Sequence, residues 1–149
     1  FFIAGVWWNG HHRHFERIRS SNMALRWLNL FFLLWIALMP FFTKILNRYI
    51  SLQLGIVLYA IDQAAAGTFL ALIWAYASSN HRLIDKDMKE PTIRFTLLRS
   101  AIAPIFFIIS IVISFISLSA AMASWYGMIP TTLAVQYLER RSEKEQEQK

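Results

Sequence analysis

The stretch Phe1 to Phe15, FFIAGVWWNGHHRHF, decides the class of the fold: an apolar run already under way at the first residue, closed by Trp7, Trp8, Asn9 and three histidines. A membrane-spanning helix needs about 20 mostly apolar residues to cross roughly 30 Å of hydrocarbon. Only eight residues precede Asn9. Neither an initiator Met nor a basic segment stands ahead of the run, so it does not read as a signal peptide with its cleavage site. It reads as the end of a helix whose upstream part lies before Phe1. Trp8, His11, His12 and Phe15 are three or four positions apart and share one face of that helix, which turns Arg13, His14 and Arg17 towards solvent or lipid headgroups.

The whole chain has the composition this stretch implies. Its 149 residues are 56% hydrophobic and 15% aromatic but only 16% charged. That is more apolar surface than a soluble domain of this size can hide. The net charge of +6 lies between apolar runs and does not line one face, which argues against nucleic acid as a partner. The absence of cysteine excludes disulfides, thiolate metal sites and cysteine nucleophiles.

Apolar runs and charged connections divide the chain into five expected spans, near 1–15, 24–42, 54–77, 97–118 and 121–138, followed by a charged tail at 139–149. Ser21 or Asn22 can cap the second span, and Pro40 falls near its far end, where a helix can stop or kink. The connection at 78–96 is the most charged and is long enough for an amphipathic segment on the membrane surface. From Arg99 to Glu139 no charge occurs over 39 residues, about 58 Å as one helix, so the run must turn back on itself. Ser117, Ser119 and Ala120 mark the turn. The fold class is all-α, a polytopic helical membrane protein with five transmembrane helices present.

Alternate connections differ in basic charge. Lys44 and Arg48 lie on one side; the other 13 of the 15 Lys and Arg fall in the first connection, the 78–99 region and the tail. By the positive-inside rule the basic side, and with it the C-terminus, is cytoplasmic. A complete protein with a cytoplasmic N-terminus would need one more span, six in all. Trp27, Trp35, Trp74, Tyr76, Trp125 and Tyr137 fit interfacial anchors better than interhelical contacts.

Few residues carry chemistry. His11, His12 and His14 are candidate metal ligands, but the only further histidine is His81, and a hydrogen-bonding or pH-responsive role fits them better. From Trp27 to Phe42 Asn29 is the sole polar side chain, and it should reach another helix, because leaving it unpaired in hydrocarbon is costly. Asp62 is the one carboxylate well inside a span: a candidate ion site, or one half of a bundle-interior pair with Gln63 or a residue of the upstream helix. Ser110, Ser114 and Ser117 form a small-residue stripe suited to close helix packing. No phosphate loop, nucleophile elbow or paired carboxylates occur, so no catalytic or cofactor-binding residues are assigned.

The run from Trp8 through Asn9, Gly10, His11, His12, Arg13 and His14 to Phe15, then Leu28 to Leu33, then Met39-Pro40-Phe41, resembles the second and third helices of the transmembrane protein 175 family. These are potassium channels of prokaryotes and of endosomes and lysosomes. The family pattern W-x-x-H-H-x-x-F, N-L-x-F-L and L-P-F is matched at Trp8, His11, His12, Phe15, Asn29 and Pro40, with Gly10 where Asn is usual. The resemblance implies a six-helix subunit, tetrameric in prokaryotes, whose first helix lines the pore with an F-S-D segment and bulky apolar residues. That helix is not among these residues, nor is a carbonyl filter sequence. Trp8, His11, His12 and Asn29 would then brace the pore helix against the F-S-D segment.

The expected function is passive potassium conduction through the centre of a homotetramer in the prokaryotic plasma membrane, gated by apolar side chains, with lipids around it and no enzymatic step. The alternative is a small secondary transporter using Asp62 and the histidines as an ion or proton relay. A membrane metalloenzyme on His11, His12 and His14 is the third.

Overall fold

The computed structural model describes residues 2–147, with side chains described at 3–142. The described residues form six α-helices and no strands: α1 (Phe2–Arg17), α2 (Met23–Arg48), α3 (Gln53–Ser78), α4 (Glu90–Ser114), α5 (Leu118–Ser124) and α6 (Met128–Glu147). The chain is an all-α protein, and three helices are long and apolar enough to cross a membrane: α2, α3 with the 3₁₀ turn that follows it, and α4.

Helix α3 is the centre. Of its apolar window 56% is buried within the chain, against 11% for α2 and 28% for α4. Its buried face is built largely from small residues, among them Ala60, Ala64, Ala66, Gly67 and Ala77, which let neighbouring backbones come close. At Gly67 the approach is tightest: a Cβ there would stand 2.7 Å from Pro104 Cδ on α4 and 3.0 Å from Trp7 Cη2 on α1. Ser110 and Ser114 continue the contact, both buried, with Gln53 of α3 donating to Ser114 Oγ at 3.3 Å. Ser117, the third of that stripe, instead caps α5 by accepting from the Ala120 amide at 3.3 Å.

Helix ends differ from the sequence expectation where a proline is handled locally. Helix α2 runs past Pro40 to Arg48, beyond the expected end at 42; one turn after the proline, the Thr43 hydroxyl donates to Met39 O at 2.8 Å. The fifth span expected at 121–138 is helical in two pieces, α5 and α6, separated by a 3₁₀ turn at Trp125–Gly127. Pro130 lies in the first turn of α6, where its missing N–H costs nothing; in a continuous helix its ring would collide with the carbonyl of Tyr126. Helix α6 carries on to Glu147, so most of the expected tail is helical.

Two connections are pinned together. Asn22 rather than Ser21 caps α2, accepting from the Leu25 amide at 3.0 Å, and its Nδ2 donates to Tyr76 Oη at 2.9 Å. The Arg19 amide donates to Leu83 O at 2.8 Å beside an antiparallel bridge between Ile18 and Ile84. The 78–96 region is therefore not the expected amphipathic surface segment. It is a loop with Leu83 and Ile84 buried against the end of α1, and α4 starts early, at Glu90 behind Pro91. Trp74, expected as an anchor, is fully buried and donates from Nε1 to Ile93 O at 3.0 Å.

The Gly67 contact can be tested directly. Gly67→Ala should lower stability by about 1–3 kcal/mol through overpacking, read as a fall in Tm of the detergent-solubilised protein. Gly5→Ala, inside α1 with nothing within 4 Å of the added methyl, should hold or slightly raise Tm, since alanine is the better helix former. Equal Tm values for the two variants would dismiss the close approach.

Candidate functional site

Helix α1 presents two chemically different faces, because Trp8, His11 and Phe15 recur at a spacing of three and four, and so do Trp7, Gly10 and His14. On the first face His11 Nε2–H donates to Asn29 Oδ1 of α2 at 2.7 Å. The His11 ring lies flat on Phe32 of α2, 5.0 Å between centroids and 5° between planes, and touches Phe15 at 4.4 Å. Asn29 thus reaches another helix, as a lone amide in an apolar helix must. Trp8 is 64% exposed and stacks along His11 and His12; His12, also exposed, is 3.2 Å from Glu16 Oε1. This face turns the Trp8 ring and the His12 and Glu16 pair to the outside of the bundle.

The second face points inward. Trp7 is buried and donates from Nε1 to Gln63 Oε1 at 2.9 Å; Gln63 Nε2 in turn donates to Asp62 Oδ2 at 2.9 Å. Asp62 is fully buried, and its second oxygen, Oδ1, has no partner among the described residues. The Gln63 pairing is one of the two expected for Asp62, but Trp7, which anchors the amide, was not picked out as a site residue.

The expectation that Arg13, His14 and Arg17 face solvent or headgroups is corrected for His14, while both arginines are half-buried. His14 is only 3% exposed, its ring packed against Trp74 at 5.2 Å. Ser100 Oγ of α4 donates to Thr96 O at 2.8 Å, which spends its proton, so at 2.9 Å it accepts from His14 Nε2–H. Arg17 donates to Thr96 Oγ1 at 2.7 Å, and Arg13 has its Nε buried. The inward turn follows from Gly10, which lets α1 lie against Leu70 of α3. Glu139, expected to open a solvated tail, is buried and lies 3.6 Å from Arg99 on α4. A signal for this face was present in the small residue at Gly10 between Trp7 and His14; the Arg99 and Glu139 pairing joins positions 40 apart and has no local signal.

The three histidines of α1 diverge, His11 to Asn29, His12 to Glu16 and His14 to Ser100. Among the described residues no three His, Asp or Glu converge on a point that could hold a metal ion. Nor does a histidine lie within hydrogen-bonding distance of Asp62 among those residues.

Residues 1–40, which comprise α1 and most of α2 with the His11 and Asn29 pair, match the family described as endosomal/lysosomal potassium channel TMEM175. A potassium channel of Streptomyces collinus is 23% identical over 133 residues, covering 87% of this chain and 64% of that protein. A potassium channel of a Chryseobacterium species is 26% identical over 129 residues, covering 85% of this chain and 64% of its own length. The chain therefore spans a little under two thirds of these curated relatives. No solved structure matches it. The segment that matches the TMEM175 family model folds into a hydrogen-bonded joint between the first two helices of an all-α bundle.

Proposed function

We propose that these helices are the scaffold of a potassium channel subunit that conducts passively through the central pore of a homotetramer, lined by a helix N-terminal to Phe1. The observation that carries the proposal is the His11 and Asn29 hydrogen bond inside the family-matched segment, with Trp8 and His12 exposed beside it. A half-buried imidazole and amide locked to each other form a rigid polar step on an apolar wall, suited to bracing a neighbouring helix. Helix α2 adds exposed Trp27, Leu30, Phe31, Leu34 and Phe41 to that wall, surface that lipid, a pore helix or another subunit covers. Relatives of greater length that are named potassium channels agree with a further segment in the whole protein.

The basic connections gather at one end of the bundle, where Arg17 meets Thr96 and Arg99 meets Glu139. That arrangement suits insertion with this end, and the C-terminus, in the cytoplasm of a prokaryotic plasma membrane. Passive conduction through an apolar constriction needs no titrating carboxylate and no bond-making step, and so no enzyme. Asp62 then serves the bundle: it holds Gln63, which holds Trp7.

Two measurements test this. In liposomes loaded with potassium, the full-length protein should drive the membrane to the potassium equilibrium potential, and Asp62→Asn should keep that activity. Flux tied to a proton gradient and abolished by Asp62→Asn would establish the transporter instead. His11→Ala and Asn29→Ala should each weaken tetramer assembly or alter conduction while leaving potassium-over-sodium preference as it was. Their coupling in a double-mutant cycle on subunit stability should be about 0.6 to 1.7 kcal/mol. A clean change of ion preference would show that these side chains line the path themselves.

A further inference from the structure

Behind the bracing face lies a second feature that conduction does not use. A cleft of about 760 Å³ separates α1 from α6 over a floor of α3 and α4. Most of its wall is apolar, with Trp7, Phe107, Met122, Trp125 and Ile129 among the lining residues; one end is polar, formed by Arg13, His14, Arg99 and Ser100. We propose that this cleft holds an acyl chain of an anionic phospholipid, with the phosphate against the guanidinium groups of Arg13 and Arg99.

Three observations fit that occupant. From Ile3 to His14 the cleft runs along α1 for eleven residue steps, about 16 Å at 1.5 Å per residue. That is about half of a 30 Å hydrocarbon core, the depth of one leaflet and so of one chain. The cleft's polar end is basic: Arg13 and Arg99 both line it, with Glu139 3.6 Å from Arg99. Arginine forks match phosphate oxygens, and basic pockets between membrane helices are where anionic headgroups dock. Finally, two buried side-chain donors without a partner among the described residues, Arg13 Nε and Trp125 Nε1, belong to cleft-lining residues.

The test uses the full-length protein in phosphatidylcholine vesicles carrying a minor fraction of brominated-chain lipid, read by quenching of tryptophan fluorescence, since Trp7 and Trp125 line the cleft. Brominated phosphatidylglycerol should quench at about tenfold lower mole fraction than brominated phosphatidylcholine. Arg13→Gln with Arg99→Gln should bring the two curves together, and Arg13→Lys with Arg99→Lys should keep them apart. Ala103→Trp, which fills the apolar part, should abolish the high-affinity phase and leave only the loose association of phosphatidylglycerol with the protein's outer surface. Coincident curves in the wild type would overturn the proposal without recourse to any variant. So would a preference that survives the double glutamine variant, one erased by millimolar inorganic phosphate, or a cross-link that places protein upstream of Phe1 in the cleft.

Discussion

At Gly67 there is no room for a side chain, and most of the bundle is arranged by that fact. Pro104 of α4 and Trp7 of α1 both close on the same backbone position of α3, so three helices meet at one point. In a bilayer, helices are not driven together by exclusion of water from lipid-facing surface, because lipid is as apolar as they are; close packing and interhelical hydrogen bonds carry the association. A small residue at the crossing permits both. With Trp7 seated on Gly67, its indole N–H falls within reach of Gln63, and the Gln63 amide is thereby oriented onto Asp62. The buried carboxylate thus depends on a contact made by another helix.

The same crossing sets the rotation of α1 about its axis. Once Trp7 and Gly10 face α3, His14 must face α4 and meets Ser100, while His11 must face α2 and meets Asn29. One short helix is thereby tied to three others through side chains of different kinds, and Trp8 and His12 are left on the outside. The proposed brace and the proposed lipid cleft are opposite faces of one element. A shift of α1 would disturb both, which gives the occupancy of the cleft a physical route to the wall on which a pore helix would lean.

Much of this was legible along the chain. Apolar runs of helical length, separated by charged connections, imply an all-α membrane protein because an unpaired backbone cannot sit in hydrocarbon. The lone Asn29 announced an interhelical partner, and the spacing of Trp8, His11, His12 and Phe15 announced their common face. Prolines misled: Pro40 sits inside α2, whereas Pro130 sits just after the break between α5 and α6. The difference is positional: Pro130 stands in the first turn of α6, where no helical N–H is lost, whereas Pro40 lies within α2, which runs on to Arg48.

Composition and periodicity by themselves determined the solvent of this protein, the number of its apolar runs and which polar side chains could not stay unpaired, since those depend only on local transfer energies and helix spacing. Which partners those side chains took was decided in three dimensions. Asn29 chose His11, Glu139 left the tail for Arg99, and His14 turned away from solvent to Ser100. The reason is geometric: the rotation of each helix is set by where small residues allow close approach, and that position depends on the shape of the neighbouring helix as much as on its own sequence.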